Sequence, residues 1–183
     1  MSGAGDPNAA HGDELFEIFT ETGERLGLER RALVHRLGHW HRSANVLLFA
    51  ADGRLYLQRR AATKDLWPSA WDGSCGEHLQ PGEPYADAAA RGLQEELGIA
   101  GVALAPLGGV TAEAFESTAL GYRDRELQQT FTGIYDGALC PDPSEVAAVR
   151  LVDRSTLLAE LAAQPTAFTP WLRPRLRKIG WLD

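Results

Sequence analysis

Cysteine is scarce in this chain, with two residues, Cys75 and Cys140, among 183. Their spacing matches neither a zinc-ligand pair nor a disulfide framework, so they read as reduced thiols. Long hydrophobic runs are missing too: nothing approaches the roughly 20 apolar residues that a membrane span needs. The opening stretch MSGAGDPNAAHGDE has no apolar segment of the kind a secretory signal carries. The expectation is a soluble, cytoplasmic protein with no membrane partner. Positive charge is also in deficit, 18 Lys and Arg against 25 Asp and Glu, for a net charge of −7. That balance argues against nucleic acid or an anionic membrane as the main partner, while local basic clusters could still meet a small phosphorylated ligand.

What is present fits one domain with a full core. Residues 1–12 are small and polar and read as a loose tail, leaving 13–183 for the domain. LFEIFTETGERLG reads as strand, turn and strand. SANVLLFA is an apolar run, and RLYLQRR, after the Asp52-Gly53 turn, alternates as a hairpin partner would. Further strands are expected in GVALAPLGGV, ELQQTFTGIYDG and VAAVRLV. DRSTLLAELAAQ reads as a helix capped by Asp153, with Leu157, Leu158 and Leu161 on one face. The segment after it is expected to be partly helical, limited by Pro170 and Pro174. The mixture suggests one layered α/β or α+β domain.

The clearest helix spans 84–97, with Pro84 in its first turn and Gly98 at its end. Ala86, Ala90, Leu93 and Leu97 form a stripe suited to packing on a sheet. Gly92, Glu95 and Glu96 are spaced three and four apart and share another face. Read alone, the glutamates are a solvated face. The surrounding pattern changes this: Glu83, seven residues, Arg91, then Leu93, Glu95, Glu96, Gly98 and Ile99 resemble the Nudix box, G-x5-E-x7-R-E-U-x-E-E-x-G-U with U aliphatic. The resemblance implies a single domain with a mixed β-sheet sandwiched between helices. It also implies a divalent cation, Mg²⁺ or Mn²⁺, held by carboxylates against a diphosphate, since hard cations take oxygen ligands. By it Glu96 is a metal ligand, Glu95 a ligand or water-orienting group, and Arg91 with Glu83 a structural pair.

Two positions depart from the box. Glu77 stands at its first glycine, and Gly92 at the glutamate following the arginine. A glycine inside a helix costs about 1 kcal/mol against alanine, so something is expected to approach closely there. Either the carboxylate has moved to Glu77, on the loop facing this helix, or the site has lost it.

Residues 14–176 also resemble type I isopentenyl-diphosphate isomerases. The shared landmarks are Arg31 and His35 in R-x-x-x-H, His41, RRAATKDLWPSAW, His78, the D-R-E of Asp124 to Glu126, and AFTPW. By that resemblance His35, His41, His78, Asp124 and Glu126 hold a metal, and three imidazoles with two carboxylates suit Mn²⁺, Zn²⁺ or Mg²⁺. Each histidine alone is more often structural, and it is the five matching positions together that raise the metal reading. Arg31, Arg60 and Lys64 match diphosphate-binding positions, and Trp171 the aromatic that shields a carbocation. The isomerases also use a cysteine opposite a glutamate, and the matching position here is Gly76, with Cys75 one residue early. In an extended segment that shift turns the side chain to the other face.

The resulting expectation is a metal-dependent hydrolase of a small-molecule diphosphate, nucleoside diphosphate-linked or prenyl-type, with Glu77, Glu95 and Glu126 as catalytic candidates. An isomerase and a non-catalytic diphosphate-binding module are the alternatives. Trp67, Tyr122 and Trp171 are candidate stacking aromatics, and a homodimer stands open.

Overall fold

Aliphatic residues dominate the second half of Trp40–Phe49. In the computed structural model, which describes residues 13–64, 66–118 and 121–182, this run is the central strand. The expected tail 1–12 lies outside the described residues. The order is β1 (Leu15–Phe19), β2 (Arg25–Arg30), α1 (Arg31–Leu37), β3 (Trp40–Phe49), β4 (Leu55–Arg60), β5 (Trp71–Asp72) and β6 (Cys75–His78). Then follow α2 (Tyr85–Leu97), β7 (Ala105–Pro106), β8 (Thr111–Ser117), β9 (Tyr122–Ile134) and β10 (Val146–Val152). A 3-10 turn (Pro165–Ala167) separates α3 (Arg154–Ala163) from α4 (Leu172–Lys178).

β3 runs antiparallel to β6 and parallel to β9, so the sheet is mixed. Side chains alternate between its faces. Ala44, Val46 and Leu48 point to α2 and join Ala88, Ala89, Leu93 and Leu97 in one core. On the opposite face Leu47 joins a second core with Leu157 and Leu161 of α3 and Leu172 and Leu176 of α4. Helices therefore cover both faces of one domain, as the sequence implied. The second layer covers only part of its face. His41, Ser43 and Asn45 share the side of Leu47, are equally buried, and are polar.

Several elements differ from expectation. β4 meets β3 only at Leu55 opposite Phe49, then diverges to pair with β10 and β5. GVALAPLGGV contributes only the two residues of β7, because its glycines and proline supply little ladder. The neighbouring strand is β8, whose exposed and half-buried residues give no clear apolar face to read. α1 was not foreseen either; its seven residues end at Gly38, whose φ of 74° makes a left-handed cap. The Asp153 cap is present, its carboxylate accepting from Thr156 N at 2.9 Å.

α2 is rotated from the stripe expected of it. Ala86 and Ala90 are exposed, and the buried face runs through Ala88, Ala89, Gly92, Leu93, Glu96 and Leu97. Gly92 and Glu96 thus face β6, and Glu95 faces outward. The rotation follows from the glycine. A Cβ on Gly92 would lie 2.7 Å from Cys75 Sγ and 2.9 Å from Glu77 Cβ, so β6 packs directly on the helix backbone.

Gly92→Ala should therefore destabilise the protein. Overpacking costs about 1–3 kcal/mol, more than the roughly 1 kcal/mol of helix propensity it gains. Combining it with Cys75→Ala, which removes the nearest atom, should restore part of the loss. Urea denaturation of the four chains of this cycle measures the coupling, and additive effects would contradict the contact.

Candidate active site

Where the second helical layer stops, the polar half of β3 lines a cavity of about 510 Å³. At one end α1, β3, β6 and β9 bring together His35, His41, His78 and Asp124, with ligand atoms all within 4.8 Å of one another. His41 Nε2 lies 3.4 Å and His35 Nε2 3.9 Å from Asp124 Oδ1, and His78 Nε2 lies 3.5 Å from Glu126 Oε1. The rings are held from behind. His41 Nδ1 faces the His39 carbonyl at 3.1 Å, Phe16 stacks on His41, and Tyr122 stacks on His35.

This cluster has the electrostatics of a cation site. Burial holds His35 far below the usual imidazole range, helped by His41 and His78, and brings His41 down to about 4. Burial lowers His78 as well. All three rings are thus neutral, the form that ligates metal. Burial, then the charge of Glu126, pushes Asp124 well above the carboxylate range. Burial would raise Glu126 likewise, but the facing His78 ring holds it low. Both ring nitrogens of His35, His41 Nε2 and Asp124 Oδ1 are buried and make no hydrogen bond within the chain. A divalent cation fits these donors and would satisfy them.

A second set of carboxylates surrounds Arg91. Its guanidinium clamps Glu83, Nε to Oε1 and Nη2 to Oε2 both at 2.9 Å, and Nη2 also donates to the His78 carbonyl at 2.8 Å. This ties the Pro-Gly loop to α2 and β6, as expected of the pair. Arg91 Nη1 lies 3.3 Å from Glu77 Oε2 and 3.1 Å from Glu95 Oε2. Glu77 lines the cavity. Burial raises its pKa to about 7; Arg91 opposes this, while Glu96 and Glu95 add to it. Glu96, buried, accepts from Gln58 Nε2 at 2.6 Å and faces the Cys75 thiol at 3.5 Å, and burial raises its pKa. Glu95 is the outlier. Its side chain is 55% exposed and serves Arg91, whereas Glu96 is buried; neither carboxylate is among the residues that line the cavity.

Arg31, Arg60, Lys64 and Trp171 all line the cavity. Each is held by the fold: Arg31 by Glu14, Lys64 by Glu145, and Arg60 by the Leu66 carbonyl. Trp171 Nε1 donates to Asp72 Oδ2 at 2.6 Å, and Thr169 and Arg175 hold the other Asp72 oxygen. Of the other stacking candidates, Tyr122 backs His35 and Trp67 packs edge-on against Trp171 and Phe115. Gly76 faces the cavity, whereas Cys75 is buried on the α2 side, where burial and then the charge of Glu96 raise its thiol pKa. Ser43, Asn45, Gln58, Asp72 and Gln128, unassigned from sequence, also line the cavity. For Ser43 and Asn45 the signal is the polar residue at every second position of HWHRSAN, a stretch that does not include Gln58, Asp72 or Gln128.

Comparison with known proteins agrees with this architecture. The model of the NUDIX domain matches residues 39–172. The chain belongs to the Nudix family. Within the family its similarity runs to isomerases. It is 41% identical over 157 residues to an isopentenyl-diphosphate Delta-isomerase of Nocardia farcinica, covering 85% of this chain and 89% of the relative. It is 34% identical over 165 residues to the enzyme of that name from Burkholderia multivorans, covering 89% and 92%. A solved structure from Deinococcus radiodurans superposes with a TM-score of 0.73 at 25% identity, over 90% of this Nudix chain and 98% of that one. A MutT Nudix hydrolase of Burkholderia pseudomallei shares the fold, with a TM-score of 0.60 at 20% identity over 76% and 98%.

Mn²⁺ should raise the melting temperature in a concentration-dependent way, by the equivalent of about 2.7 kcal/mol at a hundred times its dissociation constant. Asp124→Asn should remove most of the rise in differential scanning fluorimetry. An undiminished rise in that variant would place the cation elsewhere.

Proposed function

We propose that this Nudix protein is a metal-dependent hydrolase of a small diphosphate compound. The observation that carries the reading is the placement of the thiol. Moving a double bond requires a proton delivered to one carbon and another removed from a neighbour, so two acid–base groups must face the substrate. Glu126 lines the cavity, but the facing position on β6 is Gly76, and Cys75 points into the opposite core.

Hydrolysis asks for what the cavity holds. Arg31, Arg60 and Lys64 offer positive charge to phosphate oxygens. Glu77, with its pKa near 7, can take a proton from water at neutral pH. Arg91 fixes the orientation of Glu77, and Gln58 that of Glu96. A bound divalent cation would polarise the phosphoryl group and lower the pKa of water. The three-imidazole cluster suits Mn²⁺, and Glu77 with Glu96 suits Mg²⁺.

Isomerisation is the second reading, favoured by the identity to the Nocardia farcinica relative and by the place of Glu126 and Trp171. Phosphate release from a panel of diphosphates with Mg²⁺ or Mn²⁺ supports hydrolysis. Deuterium uptake into isopentenyl diphosphate supports the isomerase, and binding without turnover a non-catalytic module.

Two variants sharpen the test. Glu77→Gln keeps the shape and removes the basicity, so turnover should fall about 100-fold or more with little change in melting temperature. Wild-type turnover in that variant would refute the relocated-carboxylate idea. Cys75→Ala should stay within a few-fold of wild type, and near-complete loss in a folded variant would return the thiol to the chemistry. Exchanging the carboxylate back, Glu77→Gly with Gly92→Glu, meets an obstacle unseen in sequence: the new Cβ also collides with Cys75 Sγ. Recovery by that exchange should therefore need Cys75→Ala as well.

A further inference from the structure

Arg60 has two hydrogen-bonding edges, and its bond to the fold occupies one. Nε donates to the Leu66 carbonyl at 2.9 Å, while the residue lines the cavity with Nη1 3.9 Å from Asp72 Oδ2. Leu66 opens a short strap, residues 66–69, which leads into β5 and then β6. Arg59 Nε holds its other end, at the Ser69 carbonyl, at 3.0 Å. Between the two arginines the backbone is strained. Trp67 and Ser69 have φ of 47° and 62°, the left-handed region that a side chain disfavours. Such a conformation persists only where the surroundings over-determine it. Here an aromatic contact does so. Trp67 meets Phe115 and Trp171 edge-on, with ring centroids 4.8 and 5.0 Å away. Phe115 lies on β8, opposite Asp124 of the cation cluster. β8 is separated from β6 by β9 and β3, about 14 Å of sheet. The strap therefore reaches over the sheet face to its far side, and Leu66, Phe115 and Trp171 all line the cavity.

We propose that residues 66–69 are a ligand-gated strap, with Arg60 the positioning residue that couples the strap to a diphosphate. A guanidinium carries its donors in a fixed planar fork. One edge can keep the Leu66 carbonyl while the other takes phosphate oxygens. The ligand then fixes the plane of the guanidinium, and the guanidinium fixes the strap. Releasing Trp67 from Phe115 relieves the backbone strain and opens the cavity on that side. A diphosphate on Arg60 favours the closed form because it adds a contact that the open form lacks. Closure in turn keeps water away from the bound ligand except where the site holds it. This coupling rests on the diphosphate reading and adds to it how the site opens and closes.

Hydrogen exchange read by mass spectrometry tests the gate on the Mn²⁺-loaded protein, with methylenediphosphonate as a probe that is not hydrolysed. Saturating probe should slow exchange of the strap amides about tenfold. Arg60→Lys keeps the charge but has no second edge. It should still bind the probe in calorimetry, and the bound probe should leave strap exchange at the free rate. If Arg60→Lys does not bind, Phe115→Leu decides. With the aromatic contact cut, the probe should dissociate about tenfold faster in stopped flow. Aromatic rings that merely pack would lower the melting temperature and leave that rate unmoved, which overturns the gate. So does a wild-type strap that exchanges equally fast with and without bound probe, or one that Arg60→Lys protects as fully as the wild type. If methylenediphosphonate does not bind the wild type at all, the diphosphate reading falls first and the gate with it.

Discussion

Successive side chains of β3 point to opposite faces of the sheet, and the two faces are covered to different extents. That difference organises the molecule. α2 seals Ala44, Val46 and Leu48, while α3 and α4 seal only the end at Leu47. Ser43 and Asn45 on the remainder of the second face line the cavity, with His41 buried beside them against Phe16. A strand with this pattern must either find partners for its polar groups or lose stability, since buried polar groups without partners are costly. The neighbours β6 and β9 continue the pattern in register with His78, Glu126 and Gln128. His41 with Glu126, and Ser43 with His78 and Gln128, are thus adjoining rows of one polar ladder.

A cavity assembled from buried charge needs support from outside it. Arg91 is the hub on the α2 side, joining Glu83, Glu77, Glu95 and the His78 carbonyl, so the loop before the helix, the strand and the helix move as one. Asp72 is the corresponding hub on the α4 side. It gathers Thr169, Trp171 and Arg175 around one carboxylate and fixes the indole against the cavity. Both hubs use hydrogen-bonded opposite charge in partly or fully buried positions, where breaking one partner leaves the other uncompensated. Arg31, Arg60 and Lys64 are prepositioned by the same means. A ligand that meets them need not order long flexible side chains first.

Gly92 links the core to the chemistry. Its missing side chain lets β6 lie directly on α2, and the strand's alternation then sends Cys75 and Glu77 toward the helix, and Gly76 and His78 toward the cluster. The two departures from the Nudix box, Gly92 and Glu77, meet at this contact. The glycine leaves room at the helix face for the Glu77 carboxylate and for the Cys75 thiol, which the alternation of β6 turns into the core.

The box pattern from Glu83 to Ile99 was enough to name the fold, because each of its positions answers a local requirement: an arginine–glutamate clamp, a helix face, a terminating glycine. The Asp153 cap was equally legible, resting on contacts within a few residues, and the Val146–Val152 strand was legible from its apolar composition although its ladder partner, β4, lies far earlier in the chain. Four of the residues singled out by resemblance, His35, His41, His78 and Asp124, converge from four elements, which could not be read from spacing alone. Tertiary packing decided the rest. It rotated α2 so that Gly92 and Glu96 face inward and Ala86 and Ala90 outward, because helix periodicity marks candidate faces but not which one meets a strand. It sent Glu95 to Arg91. It made β8 a strand although its residues show no clear apolar face, since the edge of β9 supplied the ladder. And it left Ser43 Oγ, Asn45 Nδ2 and Gln128 Oε1 buried without hydrogen-bond partners, a property that exists only once the sheet has closed around them.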